Sequence, residues 1–167
     1  APLSSDTKIE LIKVLSENGG LNGMVLGQAI DCYFENKPLN LEELKFLHIH
    51  KTAKLIAGSL KMGAIIVNLD TKLQEKLYNF GIELGLLFQI QDDIIDETQS
   101  SEEAGKDTKN DADKNSFVNL LGLDGATKEA NKLAEKLYNE FGSFDTKLQN
   151  GLKELIDKYL YRHKKTE

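Results

Sequence analysis

Three aspartates, Asp92, Asp93 and Asp96, stand at positions i, i+1 and i+4 of the run Gly85-Leu86-Leu87-Phe88-Gln89-Ile90-Gln91-Asp92-Asp93-Ile94-Ile95-Asp96. With about 100° of rotation per residue, Gly85, Gln89 and the three aspartates share one helical arc roughly 100° wide. Leu86, Leu87, Phe88, Ile90, Ile94 and Ile95 take up the rest of the circumference. A helix apolar on nearly every side is expected to be buried, with its polar stripe turned towards an internal cavity. Carboxylates crowded on such a stripe repel one another and lose hydration unless a cation neutralises them. Oxygen donors with no histidine or cysteine nearby favour magnesium over zinc, and magnesium usually keeps several waters and shares its shell with substrate phosphates. The plainer reading of the same residues is a solvated acidic helix end beside a loop.

Lys51 is the second chemically pointed residue. Leu44, Leu47, Leu55, Gly58 and Met62 project on its side of a helix at i±3, i±4, i±7 and i+11 spacing, so a lysine interrupts a core stripe. A buried ammonium needs an anion, which could be an aspartate of a neighbouring helix or a ligand phosphate; snorkelling to the surface is the alternative. Thr52 offers a hydroxyl donor one residue on. Gly58 and Gly63 lower helix propensity, which hints at close helix packing there. Gly105-Lys106-Asp107, Lys109 and Lys114 follow the acidic helix, and a lysine-bearing loop can close over a metal-bound diphosphate or simply lie in solvent.

These side chains need helices to position them, and the sequence predicts helices throughout. Apolar spacing begins with Ile9, Leu11, Ile12 and Leu15 after a cap at Ser5 or Asp6, and Asn18-Gly19-Gly20 ends that helix. A second spans about Leu21 to Glu35, followed by a turn around Pro38. Asn40 with Glu43 reads as a capping box opening a long helix through Val67, and Thr71 with Gln74 repeats the signal for a helix reaching at least Ile95. Glu97 to Lys114 carries hardly any apolar side chain and reads as a loop with at most short helical turns. Phe117 to Leu123 gives a short helix ending near Gly122, and helices over about Ala126 to Phe141 and Asp145 to Tyr161 complete the chain. Arg162-His163-Lys164-Lys165 suits the negative end of the last helix dipole.

The composition agrees with a single helical domain over residues 1–167. Of the 167 residues 40% are hydrophobic and 29% charged, enough for a real core rather than disorder. The only prolines are Pro2 and Pro38, so the strongest helix breaker is absent from Leu39 onward. A formal net charge of -6 gives no reason to expect nucleic-acid binding. No apolar run reaches bilayer-spanning length and the first residues do not read as a signal peptide, so a cytoplasmic protein is expected. The single cysteine, Cys32, excludes an internal disulfide framework and reads as a core residue.

Taken together, these residues resemble the C-terminal half of the trans-prenyl diphosphate synthases, the farnesyl and geranylgeranyl diphosphate synthase (geranyltranstransferase) family. Phe88-Gln89-Ile90-Gln91-Asp92-Asp93-Ile94-Ile95-Asp96 looks like the family's second aspartate-rich motif with its preceding Phe-Gln. His50-Lys51-Thr52 resembles its lysine-threonine motif, and Met24 to Asp31 its Gly-Gln-x-x-Asp helix. Gly105-Lys106 and Lys114-Asn115-Ser116-Phe117 resemble its loop lysines, and the matches come in family order over most of the chain.

The resemblance implies an all-α antiparallel bundle of the isoprenoid-synthase fold, here incomplete, and a Mg2+-dependent prenyltransferase acting on isopentenyl diphosphate and an allylic diphosphate. It implies metal binding by Asp92, Asp93 and Asp96, diphosphate contacts from Lys51 and Lys106, and a role for Gln89, Thr52 and the Lys51 carbonyl beside the allylic carbon. It also implies a homodimer. Lys114 is carried over less directly, because the segment from Lys106 to Lys114 is shorter than the family's usual spacing. The chain holds no other aspartate-rich motif and no arginine pair following one, elements of the family's N-terminal half, so these 167 residues alone are expected not to catalyse condensation. A terpene cyclase or squalene-synthase relative is the alternative within enzymes, which Lys51-Thr52 and Gly27-Gln28 disfavour. A non-catalytic helical subunit is the alternative outside them.

Overall fold

The computed structural model describes residues 2–103 and 115–160, and every regular element among them is a helix. The chain divides into two compact units, Ala1–Leu86 and Leu87–Glu167, with one long helix running through the junction in its sequence. No described helix is long and apolar enough to cross a membrane.

The first unit opens with α1, Ser5–Gly19. Its cap is Ser4 rather than Ser5 or Asp6: the Ser4 Oγ accepts the Thr7 N–H at 3.1 Å, because Ser4 is the last residue with extended backbone. At the other end the Gly20 N–H reaches the Ser16 carbonyl. α2, Met24–Tyr33, is shorter at both ends than the predicted span. Asn36, with φ of 61°, then turns the chain before Pro38.

Asn40 does form the reciprocal capping box with Glu43, opening α3, Leu41–His48. The helix beyond it is not one continuous rod. A π-helical turn, Ile49–Ala53, separates α3 from α4, Lys54–Ile66. A π turn inserts an extra residue and rotates everything after it, so the core stripe changes register. Leu44 and Leu47 are buried, but the buried set then passes to His50, Ala53, Ala57 and Ala64 rather than through Lys51, Leu55 and Met62.

α5, Thr71–Glu103, extends well past the predicted loop start at Glu97. Its cap is Asp70, whose Oδ1 accepts the Leu73 N–H, while the Gln74 amide donates to the Leu69 carbonyl instead of closing a box with Thr71. Within the first unit, α5 approaches α4 and the π turn before it at two glycines. A Cβ at Gly81 or Gly85 would stand 2.5 or 2.4 Å from the Cα atoms of Ala57 and Ala53, so the helices touch backbone to backbone there. Gly58 likewise packs on the Asn18 side chain, whereas Gly63 is exposed with nothing near it, so only one of the two glycines singled out by sequence marks a close contact.

The second unit contains the end of α5, then α6, Phe117–Phe141, and α7, Thr146–Leu160. Ser116 caps α6 by accepting the Asn119 N–H. The expected break falls at Gly122, whose φ of 72° and ψ of 164° interrupt α6 and require glycine. Asp145 caps α7 through the N–H groups of Lys147 and Leu148, one residue before the helix rather than inside it. Among the described residues Leu87, Ile90, Phe117, Val118, Ala126, Ala130, Leu137, Phe144, Leu152 and Ile156 supply the buried apolar side chains of this unit.

Candidate functional site

In the second unit, the acidic stripe falls on α5 as the sequence predicts, but its members differ in environment. Gln89, Asp92 and Asp93 are half-buried and Asp96 is exposed, so the stripe opens to solvent towards its far end instead of facing a wholly enclosed hollow. Phe88, Ile94 and Ile95 are only half-buried, which is why the apolar circumference overstated the enclosure. Among the described residues no three carboxylates or imidazoles are gathered closely enough to hold a metal ion by themselves.

Asp93 is the most constrained member. Its Oδ1 accepts the Gln89 Nε2–H at 2.9 Å, the i to i+4 partner one turn back. Its Oδ2 accepts the Phe117 backbone N–H at 2.7 Å. Phe117 is the first residue of α6, so this N–H is one of those a helix start leaves unsatisfied. Burial pushes the Asp93 carboxyl up to about 6; the Phe117 and Gln89 donors pull it down and the charges of Asp92 and Asp96 push it up further. A buried carboxylate with carboxylate neighbours is a group that a cation would stabilise in its ionised form.

In the first unit, Lys51 and Thr52 sit on the π turn, both half-buried. The Lys51 ammonium is not sunk in the core. Its side chain is 34% exposed and its Nζ lies 2.6 Å from the Asp31 Oδ2, the aspartate of the Gly-Gln-x-x-Asp stretch on α2. The change of register at the π turn brings it out. Gly27 explains how α2 reaches this place: a Cβ on it would stand 2.1 Å from the Lys51 backbone nitrogen. His50 is buried, with its Nδ1 2.8 Å from the Phe46 carbonyl and its ring against that of Phe46. Sequence reasoning quoted Asp31 within a motif but missed it as the Lys51 partner; an acid four residues after a helix glycine was the available signal.

Cys32 is exposed on α2, contrary to its reading as a core residue, because α2 turns its Gly27 face inward and leaves Gln28 and Cys32 outside. Lys106 and Lys114, the loop lysines, lie outside the described residues. A polar cleft elsewhere in the first unit is lined by Asn18, Asn22, Lys54, Lys61 and Tyr78. Its groups largely satisfy one another: Tyr78 donates to Asn18, Lys54 to the Asn22 carbonyl and Lys61 to Glu75.

Comparison with known proteins gives a consistent set of relatives. The family described as polyprenyl synthetase matches residues 3–155. The farnesyl diphosphate synthase of Micrococcus luteus is 38% identical over 164 residues, covering 97% of this chain and 56% of that protein. A chloroplastic geranylgeranyl pyrophosphate synthase of Catharanthus roseus is 37% identical over 163 residues, covering 96% of this chain and 46% of that protein. Among solved structures, a geranyltransferase of Helicobacter pylori complexed with magnesium and isoprenyl diphosphate superimposes with a TM-score of 0.85 at 52% identity, covering 95% of this chain and 54% of that one. The chain therefore spans about half the length of the relatives it matches.

Proposed function

This chain belongs to the polyprenyl synthetase family, and from that premise we propose that it forms part of a prenyltransferase. The reaction is the head-to-tail condensation of isopentenyl diphosphate with an allylic diphosphate, giving a short-chain all-trans prenyl diphosphate. The observation that carries this reading is the Phe88 to Asp96 stretch of α5, with Gln89 and Asp93 joined on its polar face, in a chain whose relatives bear prenyl diphosphate synthase names.

The donor set on α5 fits a hard cation. Asp92, Asp93 and Asp96 offer only carboxylate oxygens, Asp93 is held half-buried beside two like charges, and Asp96 is open to solvent. In this reading Asp92, Asp93 and Asp96, not gathered closely enough to hold an ion alone, would hold Mg2+ jointly with diphosphate and water oxygens, and the ion would supply positive charge where the departing pyrophosphate gains negative charge. Lys51 and Lys106 donate to diphosphate oxygens, and Lys114 adds a further positive charge. Gln89 gives its Nε2–H to Asp93, and in this reading its amide oxygen faces the substrate. By the family resemblance, that oxygen would present a negative dipole end to the allylic carbon as it becomes a cation, and we propose the same role for the Thr52 hydroxyl and the Lys51 carbonyl. Isopentenyl diphosphate attacks that carbon, and pyrophosphate takes the proton. In this reading apolar side chains shelter the cation from water and hold the growing chain. A homodimer and a cytoplasmic location belong to the same proposal.

The test is incubation of the full-length polypeptide with dimethylallyl diphosphate and labelled isopentenyl diphosphate in magnesium buffer. A longer labelled allylic diphosphate is the expected product. Release of pyrophosphate from the allylic substrate without chain extension points instead to a cyclase-type activity, and a folded protein that converts neither substrate overturns the reading.

A further inference from the structure

We infer that Asp31 is a positioning residue that mounts the Lys51 ammonium for the diphosphate, an inference resting on the proposed role of Lys51. The two residues are 20 positions apart and on different helical elements, yet their charged atoms lie 2.6 Å from each other. An exposed ion pair of that kind usually contributes little, because two long side chains must be frozen to form it. Here most of that freezing is done by the backbone. Gly27 lets α2 rest directly on the peptide of Lys51, so close that a Cβ would meet the Lys51 nitrogen at 2.1 Å and its Cα at 2.5 Å.

Asp31 is one helical turn beyond Gly27, on the same face of α2. The root of the lysine is thus fixed at one turn and its tip at the next. The mount is strengthened from α4, where Lys54 donates to the Asn22 carbonyl just ahead of α2. The π turn carrying Lys51 swings its side chain out of the core register, into reach of α2 and partly into solvent.

The consequence concerns binding. An ammonium has three N–H donors, and Asp31 takes one through a single oxygen. A lysine held by root and tip arrives at a diphosphate oxygen having already lost most of its rotamer freedom, whereas an unmounted lysine loses that freedom on binding.

The experiment is a double-mutant cycle in the full-length enzyme, read as KM and kcat for dimethylallyl diphosphate. Asp31→Ala is expected to raise KM about 3- to 10-fold with a smaller change in kcat, the scale of one rotamer-rich side chain set free. Asp31→Asn, which keeps an oxygen acceptor and the side-chain shape, is expected to fall between it and wild type, and it serves in place of Asp31→Ala should that variant not fold. Lys51→Met is expected to lose more, and adding the Asp31 substitution to it is expected to cost nothing further, because there is no ammonium left to mount. Equal losses from the Asp31 substitution in both backgrounds, or none in either, while Lys51→Met alone is impaired, overturn the positioning role and leave the role of Lys51 standing. A Lys51→Met enzyme with unchanged KM and kcat overturns both.

Discussion

The Asp93 carboxylate caps α6: its Oδ2 accepts the Phe117 N–H at 2.7 Å across 24 residues of sequence. Asp93 therefore joins the acidic helix to the start of the helix that follows, while its Oδ1 is held by Gln89. One side chain carries a structural and a proposed metal-binding duty. The structural duty needs only an oxygen acceptor, whereas the second needs a negative charge, so substitution can separate them.

Asp93→Asn is the separating substitution. Folding raises the Asp93 pKa from its ordinary value to about 6, mainly by burial. A carboxyl whose folded pKa is raised favours the fold most when protonated. Its contribution is complete below about pH 4 and is lost as pH rises through about 6. Near pH 7.5 without magnesium, Asp93→Asn is expected to be more stable than wild type by about 1–2 kcal/mol, after allowing for partial solvent access. At pH 4 the difference is expected to vanish. Urea unfolding at the two pH values in EDTA measures it, and an Asn variant less stable at pH 7.5 contradicts the assignment.

Asp92→Ala tests the metal-binding proposal in the full-length enzyme. Removing a carboxylate from a crowded stripe relieves repulsion, so the fold is expected to survive with its melting temperature unchanged or raised. Turnover is expected to fall on the order of 10²- to 10³-fold, since a metal contributes several kcal/mol where charge develops. Circular dichroism and steady-state kinetics on the same preparation separate the two effects. Near-normal turnover rejects Asp92 as a ligand.

Much of this organisation is legible in the sequence because it rests on local spacing. Gln89 and Asp93 are four apart on one helix, and the Asn40-Glu43 box is a short-range code, so both follow from reading along the chain. The π turn at Ile49–Ala53 is not legible in that way. One inserted residue leaves no composition mark, yet it moves Lys51 from the core stripe to a half-buried pair with Asp31. The full length of α5 is hard to read for a related reason: Glu97 to Glu103 is polar throughout, and a wholly polar helix end has no apolar period to reveal it. Exposure of Cys32 follows from which face of α2 the glycine contact turns inward, a tertiary fact.

The glycines offer a paired test of packing. Gly85→Ala is expected to destabilise the protein by about 1–3 kcal/mol, because the added methyl would lie 2.4 Å from the Ala53 Cα and 2.7 Å from its Cβ, neither of which is a flexible side-chain end. Gly63→Ala is expected to stabilise it by about 0.5–1 kcal/mol, since nothing lies within 4 Å and alanine loses less conformational freedom in α4. Thermal or urea unfolding of the two variants gives opposite signs; stabilisation by both shows that α5 does not meet the backbone of the π turn at Ala53.

Tyr78→Phe probes the polar tie between α1 and α5 in the first unit. The Tyr78 hydroxyl donates to the Asn18 Oδ1 at 2.7 Å, and Asn18 is only 5% exposed, with its amide nitrogen bound to the Val14 carbonyl. The Gly58 backbone presses on the same asparagine, whose Cβ and amide atoms would stand 3.1 to 3.2 Å from a Cβ there, so Asn18 has little room to turn towards water. Removing the hydroxyl leaves the amide oxygen without this donor, at a cost of about 1–3 kcal/mol. Burial also raises the Tyr78 pKa, so the hydroxyl stays a donor at neutral pH, and its contribution is lost only as alkaline titration ionises it. Pairing Tyr78→Phe with Asn18→Leu distinguishes a lost bond from lost packing. If the bond is the cause, the two losses are markedly less than additive in urea unfolding, whereas full additivity assigns the effect to each side chain alone.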